Sequence, residues 1–463
     1  MPDQENIIAT IPERKRWTIT IYHPRFVMLM IGFCMIILFR VGLSIQMPIW
    51  IYIAYAVLLS ALTNKEEQIA FLCSQIAFTS FLQYRYVLLV SILFLILKKG
   101  RSKYNNKNFV PFLLIVIWEL LHASVSHLEI YGFLQEISEL LTLTCILIDE
   151  PMDYSDALPI RTLAYSAVFA MIMDVVASVK IYGFSFQSLG RLGDASVNTS
   201  VQVGDFQGII NPNEAGLMCM LAIGGLLLIR QLEKDKNSDA VLIIILCIFT
   251  LLTQSRSAIL GIILLFLLYP ILSGNVSHIA AYRFVYSFIG IAIGVVVIFV
   301  FFRNYIDAFL SRFNTADVSH GRLAIFAFYT MHLFKEPRNW LFGIGLYNYN
   351  ITLTKLYGGL WTSYPGLARY IDKNYNVAYK VSHNSVQEII VAWGVLGIVL
   401  VCLLLYKMVK HKSMKTSKAN NVLLLVLLLI SQLGQLISSG IMMLGLIFCL
   451  VAMEYSPYSS ENS

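Results

Sequence analysis

Charge is what this sequence has least of. Lys, Arg, Asp and Glu make up 13% of its 463 residues, about half the share of a soluble domain, while 58% are hydrophobic. Polar stretches long enough for a soluble domain are missing from most of the chain, and continuous apolar runs of roughly 14 to 21 residues recur instead. These runs do not alternate in polarity, which excludes an outer-membrane barrel, and helices are the other structure that lipid allows across a membrane. Cysteine is scarce wherever it could pair. Cys34, Cys73, Cys145, Cys219, Cys247, Cys402 and Cys449 all fall inside apolar runs, so neither a disulfide framework nor a zinc spacing is present. No small-residue cleavage site follows a short apolar core, so no removable signal peptide is expected.

What charge there is carries information. The net charge of +7 does not point to nucleic acid, because the basic residues gather in short loops between apolar runs. Residues 98–107 (KKGRSKYNNK), 230–239 (RQLEKDKNSD) and 407–418 (KMVKHKSMKTSK) are such loops. With the N-terminus inside, all three fall on the cytoplasmic side of an all-α polytopic membrane protein of about 12 to 14 transmembrane helices. The expected spans lie at roughly 24–40, 48–63, 68–84, 86–98, 109–122, 131–148, 159–177, 214–230, 240–253, 257–272, 285–302, 386–406, 421–437 and 439–453.

The resulting plan has five parts. Residues 1–23 form a cytoplasmic N-terminal segment, and 24–302 a transmembrane bundle with an outer loop at 178–213. Residues 303–384 form a large outer loop, 385–453 the C-terminal transmembrane helices, and 454–463 a cytoplasmic tail. The large loop is too long to be a mere connection. Its segment HGRLAIFAFYTMHLFKEPRNW has apolar residues at helical spacing, which predicts an amphipathic helix on the membrane surface, ended by Pro337. A glycine-rich turn, LFGIGLYNYN, follows it. Then come tyrosines and a tryptophan, Tyr347, Tyr349, Tyr357, Trp361, Tyr364, Tyr370, Tyr375 and Tyr379. Aromatics here serve as interface anchors or as a platform on which sugar rings stack.

The chemistry-bearing residues converge on the outer side. Asn211 and Asn213, in IINPNEAGL, stand at the mouth of one span. Arg256, in LLTQSRSAILG, joins two spans with almost no loop between them. An arginine there is costly unless paired or wet, so it either snorkels or clamps an anion. Its planar fork matches phosphate oxygens, and Ser255 and Ser257 flank it at the start of the next helix. Arg322 is expected in the first turn of the amphipathic helix, where a cation opposes the helix dipole unless an anion sits nearby. Arg191 and Arg369 are weaker candidates, read equally well as solvated loop charges. In VSHNSVQEIIVAWG, Ser385 and Glu388 fit a capping box, and Asn384 is an alternative cap. His383 has no part in that helix start and is a candidate general base, with His320 as its rival.

Taken in order, NPNEAG, TQSRSAILG, the GR that opens the loop helix, FGIGLYNY and SHNSVQEIIVAWGVLG resemble the O-antigen ligase and O-antigen polymerase superfamily of bacterial inner-membrane glycosyltransferases. The HN ahead of a span with a later G-x-x-G, here Gly394 and Gly397, is the most specific piece, and the resemblance covers roughly residues 191 to 397. It implies a GT-C-like helical bundle with a large periplasmic loop, in which both termini are cytoplasmic and the active site is periplasmic. It further implies an undecaprenyl-diphosphate-linked glycan as donor and acceptor, an inverting transfer without metal or other cofactor, and a chain-length regulator protein as partner. The family's base falls on His383 and its diphosphate-holding arginines on Arg256 and Arg322. Asn384, Asn213, Asn211, Ser255, Arg191, Tyr347 and Tyr349 are left to orient or bind the glycan. The span count and the outer tyrosines favour polymerisation of repeat units over ligation to lipid A–core. A lipid-linked oligosaccharide flippase is the alternative from another class, and would use Glu119, Glu136, Glu139 and Asp174 at membrane depth.

Overall fold

The computed structural model describes residues 23–43, 45, 47–78, 84–99, 157–184, 212–232, 237–253, 255–273, 337–343 and 385–410, with single positions at Leu114, Ile117, Trp118, Leu121, Leu425, Val426, Leu429 and Gly445. No strand occurs among the described residues. The helices are α1 (Pro24–Leu43), α2 (Ile49–Leu62), α3 (Lys65–Ser74, continued by a 3-10 turn, Gln75–Phe78), α4 (Tyr84–Lys99), α5 (Leu158–Tyr182), α6 (Pro212–Leu232), α7 (Asn237–Leu252), α8 (Arg256–Ser273), α9 (Pro337–Phe342) and α10 (Ser385–Lys410). Among the described residues, two segments are long and apolar enough to cross a membrane, Leu158–Lys180 in α5 and Asn213–Arg230 in α6. Shorter apolar helices accompany them in α2, α4, α7 and α8.

The bundle is organised around α5 and α6. Helix α5 packs on α1, α3, α6 and α7, and α6 packs on α5, α7 and α8. Every residue of α6 from Ala215 to Ile229 is buried. Its small residues let neighbours come close, because helix association in lipid relies on tight van der Waals contact rather than on exclusion of water. At Gly216 the approach is closest: a Cβ there would lie 2.4 Å from the Cβ of Ala258 on α8. Aromatic packing closes the other side, where Phe33 meets Phe71 and Phe78 edge-on at centroid distances of 5.4 and 5.5 Å.

Polar side chains tie several helix ends together. Asn64 and Glu67 form a capping box that starts α3, with Asn64 Oδ1 accepting the Glu67 N–H at 2.8 Å and Glu67 Oε2 accepting the Asn64 N–H at 2.8 Å. Glu67 also meets His23 Nδ1 at 3.0 Å, just ahead of α1. Lys98 at the end of α4 donates to the carbonyls of Ser60 and Thr63 at the end of α2. A cation over the last carbonyls of a helix satisfies acceptors that have no partner within the helix. Arg161 near the start of α5 pairs with Asp239 near the start of α7 at 3.5 Å. In these contacts between helices, starts meet starts and ends meet ends.

Two local features differ from the sequence expectation. Pro337 opens the short helix α9 instead of only closing the segment before it; the missing N–H of proline costs nothing in a first turn. Gly343, with φ 74, then caps α9 by donating its N–H to Asn339 O at 2.8 Å. Helix α10, expected as one continuous span, is broken at Gly394, which has φ 69 and ψ −174.

Candidate functional site

The described part of the site is built where two helices begin. The connection from α7 to α8 is only residues 253–255, and it is stapled from within. Thr253 Oγ1 donates to Thr250 O at 2.7 Å and accepts the Ser255 N–H at 3.3 Å. Thr250, Thr253 and Ser255 are all buried, so each hydroxyl must find a partner inside the protein. The result is a turn with little freedom, which hands the chain to α8 in one orientation.

Ser255 stands in the N-cap position of α8. Its Oγ accepts the Ala258 N–H at 3.4 Å and its carbonyl accepts the Ile259 N–H at 3.0 Å. The same Oγ donates to Asn213 Oδ1 across 3.0 Å. A serine hydroxyl has a single hydrogen, so the 3.2 Å contact with Ser257 has Ser257 as donor. Ser255 therefore does two tasks at once: it caps α8 and it holds the first turn of α6.

The start of α6 fits this contact. Pro212 opens the helix, Asn213 follows it, and Gly216 lies one turn on, facing Ala258 and Ser255. With no side chain at Gly216, the N-termini of α6 and α8 sit against each other. Partial positive charge gathers at both helix starts, and Arg256 is the first residue of α8. Two helix N-termini and an arginine backbone position thus occupy one end of the bundle. The arrangement suits a phosphate or diphosphate, which would accept from the N–H groups and neutralise the converging charge.

Of the sequence candidates, Asn213 and Ser255 are joined directly, and Arg256 is placed beside them by its backbone. His383, Arg322, Asn384, Asn211, Arg191, Tyr347 and Tyr349 lie outside the described residues, as do His320 and Arg369. Helix α10 includes Ser385 as its first residue, one before the start that a Ser385 cap implies, so the N-cap position falls on the alternative, Asn384, outside the described residues, and the chain enters the helix two residues after His383. Of the acidic residues that a transport path would use, Asp174 is buried on α5 within electrostatic reach of Cys219 on α6. Glu119, Glu136 and Glu139 lie outside the described residues.

Thr253 and Gly216 were not singled out in the sequence, yet they set the site's geometry. Thr253 was signalled by its place in T-x-S at the end of an apolar run. Gly216 was signalled by its spacing of three from Asn213, which puts both on one face of α6.

Residues 241–402 match the family model described as O-antigen ligase, about a third of the chain. The match runs from α7 through α10 and contains Arg256, Arg322 and His383. It supports the resemblance to the O-antigen ligase and polymerase superfamily. No curated protein matches the chain.

Proposed function

We propose that the protein is a membrane-embedded glycosyltransferase that polymerises undecaprenyl-diphosphate-linked repeat units into O-antigen or a related surface polysaccharide at the outer face of the bacterial inner membrane. The observation that carries this reading is the joined start of α6 and α8, with Arg256 opening α8 beside the Ser255–Asn213 hydrogen bond. Paired helix N-termini, of which the α8 start with Arg256 lies inside the segment matched by the O-antigen ligase model, fit a lipid diphosphate better than a neutral substrate.

In this reading the donor's diphosphate rests against Arg256 and Arg322. His383 takes the proton of an acceptor hydroxyl as its oxygen attacks the anomeric carbon of the donor sugar. The new C–O bond forms on the face opposite the departing diphosphate, so configuration inverts. The C–O bond to the diphosphate breaks with its electron pair left on oxygen, where preorganised cations and helix dipoles oppose the growing charge. Asn213 orients a sugar hydroxyl or the diphosphate, and the tyrosines of the large loop, Tyr347 and Tyr349 among them, stack on the glycan. No step needs a metal or cofactor, since leaving-group charge is met by the two arginines. A chain-length regulator is the expected protein partner, and both termini are assigned to the cytoplasm.

Ligation of the finished chain to lipid A–core is the second reading, favoured by the description of the matched family model. The two separate in one assay with the purified full chain. Lengthening of undecaprenyl-diphosphate-linked units supports polymerisation. Glycan appearing only on added lipid A–core supports ligation. If neither product forms, or if His383→Ala and wild type are equally active, the enzyme reading is wrong and transport regains its place.

A further inference from the structure

Helix α10 contains a break that the proposed chemistry does not by itself explain. At Gly394 the backbone leaves the helical region entirely, with φ 69 and ψ −174. The interruption separates residues 385–393, which follow directly on His383, from residues 395–410. Such a break removes i to i+4 partners from the carbonyls just before it, an expensive loss at membrane depth unless other groups take over.

The replacement partners come from two distant parts of the chain. Trp118 Nε1 donates to Trp393 O at 3.1 Å, satisfying the last carbonyl before the break. The backbone of α9 fills the gap itself: a Cβ on Gly394 would lie 2.3 Å from Leu341 O and 2.6 Å from Phe342 N. Gly394 is thus required twice, for its positive φ and for the space that α9 occupies. Gly397 completes the arrangement, since a Cβ there would lie 2.2 Å from Trp393 Cβ. The G-x-x-G of the sequence is a seat for another segment rather than a smooth helix face.

What holds α9 in that seat is the indole of Trp118. Its ring stacks on Phe342 at a centroid distance of 5.9 Å and an interplanar angle of 25°. None of the α9 side chains is buried, and Trp340, Leu341 and Phe342 are all exposed. Backbone contact at Gly394 and this stack are two of the contacts that seat α9 on α10. In sequence, α9 is the direct continuation of the segment that contains Arg322.

We propose that Trp118 is a positioning residue: its N–H and its ring clamp α9 onto the break in α10, fixing residues 385–393 relative to α9. Its bearing on catalysis rests on the assignment above of His383, two residues ahead of α10 in sequence.

The test uses the full chain in phospholipid nanodiscs, with Trp118→Phe, which keeps the ring and removes the donor, and Trp118→Ala, which removes both. Hydrogen exchange of peptides covering 385–397 is expected to accelerate about fivefold in Trp118→Phe and further in Trp118→Ala, with α5 and α6 unchanged. Single-turnover transfer from an undecaprenyl-diphosphate-linked repeat unit is expected to slow about tenfold in rate constant with its amplitude kept. Amplitude reports the folded fraction and rate reports geometry, so a loss of amplitude alone overturns the positioning role. Unchanged exchange at 385–397 overturns the clamp. If wild type transfers to no acceptor while exchange still responds to Trp118→Phe, the clamp stands and the enzyme reading falls. Should Trp118→Phe fail to give monodisperse protein, Phe342→Leu, at an exposed position, removes the stacked ring and is judged by the same outcomes.

Discussion

Ser255 Oγ donates a hydrogen bond to Asn213 Oδ1 across 3.0 Å, and this single bond joins the starts of two helices whose residues are 42 apart in sequence. Because the same Oγ caps α8, the two roles cannot be separated by mutation of Ser255, but they can by mutation of Asn213. Ser255→Ala is expected to lower stability by about 1–2 kcal/mol, through loss of a cap and of a buried hydrogen bond. Asn213→Ala removes the inter-helix bond while leaving the Ser255 cap of α8 in place, and is expected to cost about 1 kcal/mol. Both are expected to reduce transfer, Asn213→Ala out of proportion to its effect on folding. Thermal unfolding in detergent beside turnover with lipid-linked repeat units measures the two effects; a loss of transfer that merely follows folded fraction removes Asn213 from the site.

Gly216 tests how closely α6 and α8 must approach. A methyl group there meets Ala258 Cβ at 2.4 Å and Ser255 Cβ at 3.3 Å. Those contacts are on rigid groups, so the helices must move apart rather than a side chain swing aside. Gly216→Ala is expected to destabilise by about 1–3 kcal/mol. The matching variant Gly216→Ala/Ala258→Gly is expected to recover most of the loss, measured by unfolding in detergent. Absence of any rescue would mean that the pair is not in contact.

Asn64 lies at a helix start far from the proposed chemistry in function, and its variant is the contrasting case. Asn64→Ala breaks the capping box with Glu67 and is expected to cost about 1 kcal/mol. Turnover per folded molecule is expected to stay at the wild-type value. A change in turnover at equal folded fraction would show that this end of the bundle communicates with the outer site.

The helices themselves were legible in the sequence where apolar runs set their limits. Helices α1, α2, α5, α6, α7 and α8 each lie within a few residues of the expected span. Helix α3 shows where that signal stops. The expected span began at residue 68, whereas the helix starts at Lys65, because the Asn64–Glu67 cap acts outside the apolar run. The sequence N-x-x-E carried that information, and hydropathy did not. The break in α10 was not legible, since Gly394 sits inside an unbroken apolar run. Its cause lies in Leu341 and Phe342 and in Trp118, 275 residues away from Trp393, and no local pattern encodes such a contact. The site divides in the same way. Asn213, Ser255 and Arg256 were each visible as polar residues at span ends, but the bond between Asn213 and Ser255 belongs to the packing of α6 on α8.

Topology gives a prediction that does not depend on catalysis. Phe184, just past the end of α5, is 90% exposed, and the start of α6 follows in sequence after the loop beyond it. Lys65 opens α3, next to the group formed by Asn64, Glu67 and His23. The proposed orientation, read from the basic loops, has Phe184 outside and Lys65 inside. In a background with all seven native cysteines, Cys402 being exposed among the described ones, replaced by Ser, Phe184→Cys is expected to react with a membrane-impermeant maleimide in intact spheroplasts. Lys65→Cys is expected to react only after permeabilisation. Labelling of both from the same side would overturn the orientation, and with it the outer placement of the α6–α8 site.

Arg256 allows the site to be distinguished from a structural arginine by the sign of one effect. It is the first residue of α8, where a cation faces the positive end of the helix and opposes the macrodipole. Removing that charge while keeping polar hydrogen bonding should therefore favour the folded helix. Arg256→Gln is expected to leave stability unchanged or raise it by about 0.3–1 kcal/mol, while transfer falls by about a hundredfold or more. Arg256→Lys keeps the charge but loses the planar fork, and an intermediate loss of about tenfold is expected. The wild-type protein should in turn be stabilised by added pyrophosphate or by undecaprenyl diphosphate, and Arg256→Gln should lose that response. Unfolding curves with and without diphosphate, read beside turnover for the three proteins, decide the matter. An arginine kept only for snorkelling or for an ion pair would show the opposite pattern, with stability lost in Arg256→Gln and no dependence on diphosphate.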